Sequence, residues 1–243
     1  MAEPGWSRVE IAGKPADAFD PPGAVRGAVA FLHPYGLESQ ADNRAYSDAF
    51  ARHGLAVCAP FGGHSWWVDR VCPEFDPVMT AERFLLDSVR PWMLDRWRVA
   101  KVAAAGISMG GQGAVRLGFR HSKAFPVVGS VAGAFDFHER WGRGTELDEL
   151  YPSAEAARLD TAVTHVNPAA FPPHVWFACD PTDADWIRGN DRLFEKLTAF
   201  GLPHVCDLET SAGGHSWSYF DAMAEPLAAW IAKSLAADSR RLL

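Results

Sequence analysis

Along the chain, short uninterrupted apolar runs alternate with stretches in which apolar residues recur every three or four positions. Continuous runs suit strands covered on both faces, whereas the three-to-four spacing lays one apolar stripe along a helix. The runs at 26–32 (RGAVAFL), 55–59 (LAVCA), 101–107 (KVAAAGI), 126–131 (PVVGSV), 174–179 (HVWFAC) and 203–208 (PHVCDL) predict strands. Helices are predicted over 43–53, 80–97, 109–120, 188–200 and 220–236, and the segment 6–12 (WSRVEIA) adds an outer strand. This alternation specifies an α/β architecture: a mostly parallel central sheet with helices on both faces, as one domain over 1–243. The pattern breaks once. From Phe135 to Pro173 the chain is polar and irregular, ending in NPAAFPP, and reads as a small insertion after the sixth strand. Ligands in such sheets sit outside the carboxyl ends of the strands, so this insertion is expected to roof a site.

Composition narrows the classes of function. The 243 residues are 48% hydrophobic and 22% charged, with a net charge of −7, which is globular and disfavours nucleic acid as a partner. No stretch approaches the ~18 consecutive apolar residues of a membrane span. The start, MAEPGWSRVE, lacks a basic segment followed by an apolar run, and the expected location is therefore cytoplasmic. The four cysteines have no CxxC or metal-like spacing, and Cys58, Cys179 and Cys206 lie in apolar runs as reduced thiols do.

The strongest chemical signal is Gly106-Ile107-Ser108-Met109-Gly110, at the end of an apolar run and the start of a helix. A sharp strand-to-helix turn strains its central residue and pushes that side chain out of the sheet. Glycines flank it because a Cβ there would strike the neighbouring strand or helix. Ser108 is thereby placed as a nucleophile, with the helix amides beyond it suited to an oxyanion.

GISMGGQGA at 106–114 resembles the G-x-S-M-G-G-x-G-A run of the esterase D / antigen 85 group of esterases. The likeness continues through LHPYG at 32–36, AP-FGGHSWW at 59–67 and GGHSWSYF at 213–220, covering about residues 26 to 236 in order. The resemblance implies an α/β-hydrolase fold and hydrolysis of carboxylic or thiol esters. In that fold the order is serine, then acid, then histidine. His215 fits as base: it follows the last strand and two glycines, precedes the final helix, and matches the family's GGH position. His64, in the near-copy FGGHSWW, precedes the serine and is excluded by that order. The acid belongs after the strand at 174–179. The family pattern maps it onto Asp183, with Asp180 at a turn position where glycine is usual; counting back from the following helix favours Asp185 instead.

An oxyanion needs at least two donors. The Met109 amide is one. His33-Pro34-Tyr35-Gly36 stands where His-Gly-x-Gly is commoner, and Pro34 has no N–H, so Tyr35 supplies the second, with Gly36 next. Trp66, Trp67, Trp217, Tyr219 and Gly36 are placed around the substrate by position, with the alternative for Trp66 and Trp67 that they anchor their loop on the core. The expected activity is a serine carboxylesterase acting on small or aryl esters, with no metal or organic cofactor in the chemistry. An S-formylglutathione hydrolase-type thioesterase is the alternative; a non-catalytic binding protein on the same fold is a third reading.

Overall fold

The computed structural model describes residues 5–240; the outermost ends of the chain, including the first four residues of the leader reading, lie outside it. Eight strands form one sheet: β1 (Gly5–Ile11), β2 (Lys14–Asp20), β3 (Gly27–Leu32), β4 (Leu55–Pro60), β5 (Val102–Ile107), β6 (Val127–Val131), β7 (His174–Ala178) and β8 (Val205–Asp207). Their order is β1-β2-β4-β3-β5-β6-β7-β8. The pairs β1–β2 and β2–β4 are antiparallel and the other neighbours are parallel, so the sheet is mixed.

The central strands form where the apolar runs predict them, because GAVAFL, LAVCAP, VAAAGI and VVGSV are buried along their whole length. The sequence pattern misses β2. Its residues, KPADAFD, carry no β-branched side chain and place Asp17 in the interior, where Arg8 on β1 pairs with it at 2.6 Å. The hairpin closes through Ala12 and Gly13, both at positive φ. β8 is shorter than its apolar run and covers three residues.

The helices are α1 (Arg44–His53), α2 (Ala81–Phe84), α3 (Arg90–Trp97), α4 (Met109–Arg120), α5 (Leu147–Leu150), α6 (Ala154–Arg158), α7 (Ile187–Ala199), α8 (Trp217–Ala222) and α9 (Ala224–Arg240). The predicted helix at 80–97 is continuous but for a π-helical turn at Leu85–Val89, and the last predicted helix divides at Met223. Two adjacent β6 residues fix the layers. Successive strand residues face opposite sides of a sheet. Val128 packs under Gly118 of α4, while a Cβ on Gly129 would strike Leu227 of α9 at 2.5 Å. Helices α4 and α9 therefore cover opposite faces, as expected.

The segment after β6 is better anchored than its polarity suggests. Phe135, Phe137, Leu147, Leu150 and Tyr151 are buried. Buried Arg116 on α4 contacts both Glu82 and Asp160, and Tyr151 donates to Asp160 at 2.8 Å. Strands β3, β5, β6, β7 and β8 end side by side: Leu32 pairs with Gly106, Ile107 with Val131, Val131 with Ala178, and Ala178 with Asp207. The loops that follow them meet along one edge. The chain leaves β3 toward β4 on one side and β5 lies on the other, which makes the β3/β5 boundary a topological switch point.

Candidate active site

Ser108 sits at that switch point, between β5 and α4, with φ 54° and ψ −114°. A serine pays of order 1–3 kcal/mol for such a conformation, and the surroundings enforce it. Its N–H donates to Val131 O at 2.9 Å and its carbonyl accepts from Gln112 N at 3.0 Å and Ala134 N at 3.1 Å. The flanking glycines are steric necessities. A Cβ on Gly110 would lie 2.0 Å from Leu32 O, and one on Gly106 2.5 Å from the Gly110 carbonyl carbon. Both obstacles are backbone and cannot rotate away.

His215 reaches Ser108 from the loop between β8 and α8. Its Nε2 lies 3.0 Å from Ser108 Oγ, and its Nδ1 lies 2.8 Å from Asp183 Oδ2. Phe220 meets the imidazole edge-on at 5.1 Å between centroids. Asp183 is buried, and its other oxygen accepts from Asp185 N at 3.0 Å and Trp186 N at 3.1 Å. Asp185 points elsewhere: its carboxylate pairs with Arg140 at 2.5 Å. Of the two aspartates that spacing left open, Asp183 is the one on the imidazole.

Asp180 has a larger part in this geometry than a turn cap. It accepts from Thr182 N (2.8 Å) and Thr182 Oγ1 (2.7 Å), and also from Ala212 N (2.6 Å), Gly214 N (2.9 Å) and Ser211 Oγ (3.1 Å). It thus ties the β7–α7 turn to the loop carrying His215. Burial alone would raise its pKa, but these hydrogen bonds outweigh it and hold the carboxyl well below the usual range. Sequence spacing could not find this role, because the Ala212 and Gly214 amides that it holds lie 32 and 34 residues away.

The loop after β3 forms the opposite wall. His33 is buried; its Nδ1–H donates to Pro34 O at 2.8 Å and its Nε2 accepts from Gly62 N at 2.9 Å. Leu37 N also donates to Pro34 O, at 3.1 Å. In a trans peptide the N–H points opposite the carbonyl, so two donors on Pro34 O turn the Tyr35 N–H the other way. Among the described residues, neither the Tyr35 nor the Met109 N–H has a hydrogen-bond partner. A cleft of about 290 Å³ is lined by Pro34, Tyr35, Gly36, Glu38, Ser108 and His215, together with Ser216, Trp217 and Phe220.

The profile of the family described as "Putative esterase" matches residues 29–226. The chain belongs to that family. It is a serine ester hydrolase, and its sheet is that of the α/β-hydrolase fold. An acetyl esterase from Caldicellulosiruptor saccharolyticus is 24% identical over 200 residues, covering 75% of this chain and 73% of its own. The diacylglycerol acyltransferase/mycolyltransferase Ag85B of Mycolicibacterium smegmatis is 24% identical over 229 residues, 76% of this chain and 70% of its own. Among solved structures, an S-formylglutathione hydrolase from Agrobacterium tumefaciens superposes with a TM-score of 0.77 at 15% identity, covering 95% of this chain and 94% of that one.

The aromatic residues of this esterase divide sharply. Trp217 lines the cleft, as does Gly36, against which the Glu38 carboxylate folds. Tyr219, two positions along α8 from Trp217, faces the other way and is fully buried. Trp67 is also fully buried: it fills the space left by Gly62 and Gly113, and its Nε1 donates to His33 O at 3.3 Å. Trp66 packs against Tyr35 and Phe137, with centroids 5.8 and 5.4 Å apart, and is not among the cleft-lining residues. The expectation that Trp67 and Tyr219 line the substrate is therefore corrected: both are packing residues. His64 contacts the Tyr35 ring rather than Ser108. None of the described helices is long and apolar enough to cross a membrane.

Proposed function

We propose that this esterase cleaves small or aryl carboxylic esters through an acyl-enzyme on Ser108. The reading is carried by the hydrogen-bonded line Ser108–His215–Asp183, with links of 3.0 and 2.8 Å, opening on the cleft. His215 Nε2 takes the hydroxyl proton as Ser108 Oγ bonds to the ester carbonyl carbon, and the buried Asp183 carboxylate stabilises the imidazolium. Collapse of the tetrahedral intermediate breaks the carbon–oxygen bond, and the imidazolium returns its proton to the departing alcohol. Water then repeats the sequence on the acyl-enzyme, releasing the acid and restoring Ser108.

The free N–H groups of Met109 and Tyr35 would hold the oxyanion; one such donor is commonly worth about 3–4 kcal/mol. The modest cleft favours small groups, with Trp217 offering an aromatic wall. Glu38 in that wall makes no ion pair among the described residues, which favours neutral esters over the glutathione thioester, whose two carboxylates outnumber its one ammonium. A cytoplasmic setting fits the four unpaired cysteines, three of them buried.

The test is turnover of p-nitrophenyl acetate and butyrate beside S-formylglutathione. Wild-type protein should cleave the oxygen esters and be labelled by a fluorophosphonate probe, while Ser108→Ala should do neither. Undiminished activity in that variant removes the mechanism, and failure of the probe to label wild type points to a non-catalytic binding protein. Faster turnover of S-formylglutathione than of oxygen esters would overturn the substrate assignment.

A further inference from the structure

The near-copy of the histidine motif, FGGHSWW, is left without a part in the ester chemistry. Its histidine stands in a distinctive place. His64 Nδ1 lies 2.8 and 3.0 Å from the two oxygens of Glu74 and 3.7 Å from Glu146 Oε1. One ligand atom from each of the three residues falls within 4.8 Å of the others. His64 and Glu74 lie in the connection between β4 and α2, and Glu146 in the segment after β6.

We propose that His64, Glu74 and Glu146 form a binding site for a divalent transition-metal ion, of which Zn2+ is the best fit. Ligand spacing is the first argument. At Zn–N and Zn–O distances of about 2.0–2.1 Å, two ligands on a tetrahedral ion stand about 3.3–3.4 Å apart. His64 Nδ1 stands 2.8 Å from the nearer Glu74 oxygen and 3.7 Å from Glu146 Oε1, on either side of that value, and all three ligand atoms lie within 4.8 Å of one another; 3.7 Å is too long for a hydrogen bond between His64 and Glu146.

Charge is the second. Two carboxylates converge on one imidazole nitrogen, and among the described residues neither is paired with a lysine or arginine. A dication would neutralise both. The outer shell is the third: Glu146 Oε2 accepts from Tyr35 Oη at 2.7 Å, which leaves Oε1 facing the imidazole. Carboxylate ligands oriented by an outer hydrogen bond are a regular feature of metal sites. The imidazole disfavours Ca2+ and Mg2+, which take oxygen ligands. With the three side chains 21%, 44% and 30% exposed, water can complete the coordination.

The ion would be structural. In this proposal it takes no part in bond making at Ser108. It would fasten the loop at 61–67 and the segment after β6 to the back of Tyr35, whose ring lies 4.4 Å from His64.

Tag-free full-length protein, stripped with chelator, is titrated with Zn2+ against a chromogenic indicator, and its melting temperature is followed in parallel. Wild type should take up one equivalent and melt higher with Zn2+. His64→Ala and Glu146→Gln should each weaken uptake about tenfold or more and lose the thermal response. No uptake by wild type, or equal uptake by all three proteins, overturns the site. The readout is independent of esterase activity, so it does not stand or fall with the role of Ser108.

Discussion

His33 provides a quantitative test of how the wall opposite the serine is held. Burial is the main cause that lowers its pKa from 6.5 to about 4, with the hydrogen bond to Pro34 opposing it. Protonation would also set an Nε2–H against the Gly62 N–H that now donates to it. In the unfolded chain the ring takes a proton near pH 6.5; in the folded chain it resists until about pH 4. Between those values the unfolded state binds more protons, so stability falls as pH falls. The contribution is fully present above pH 6.5 and gone by about pH 4. At about 1.4 kcal/mol per pH unit, the whole gap is worth about 3 kcal/mol. Linkage puts about 2.5 kcal/mol of that loss between pH 7.5 and 4.5. Urea unfolding of wild type and His33→Asn at several pH values isolates this one group, because other titrations cancel in the difference. Wild type should lead at pH 7.5, and its lead should shrink by about 2.5 kcal/mol at pH 4.5. Curves that stay parallel to within about 0.5 kcal/mol would refute the assignment of a buried neutral imidazole.

Gly110→Ala should fold poorly, because its Cβ would lie 2.0 Å from the Leu32 carbonyl oxygen; a loss of at least about 3 kcal/mol should appear in the melting temperature, and an unchanged value would count against the tight turn. Asp180→Asn places an amide N–H₂ among donors that now converge on a carboxylate. Since charge-assisted hydrogen bonds contribute about 1.5–3 kcal/mol each, urea unfolding should show a loss of about 3 kcal/mol. Its kcat on p-nitrophenyl acetate should fall about tenfold or more, and activity equal to wild type would mean that His215 is positioned without this clamp.

Much of the fold is legible in the sequence because burial on both faces leaves a signature that needs no partner to interpret. Runs such as GAVAFL and VAAAGI identify their strands unaided. KPADAFD hides its strand because its interior charge makes sense only beside Arg8. The serine turn is legible for a similar reason: glycine, serine and glycine at fixed spacing encode a clash that the backbone itself supplies. Aromatic placement is not. Trp217 and Tyr219 are two residues apart on one short helix, and only the packing of α8 decides which of them meets the cleft. Trp67 looks like a binding residue until the voids over Gly62 and Gly113 are seen to need its volume. Spacing alone does not separate Asp183 from Asp185, because what distinguishes them is their partners: Asp183 lies against the imidazole, and Arg140 pairs with the Asp185 carboxylate.

One feature of the turn after β7 bears on how steadily the imidazole is held. Asp183 grips the ring, and Asp180, three residues earlier, grips the main chain of the loop that carries it. Both tethers start from the same short stretch of backbone. When thermal motion displaces that stretch, ring and loop are dragged in step, and the gap between carboxylate and imidazole changes far less than the position of either.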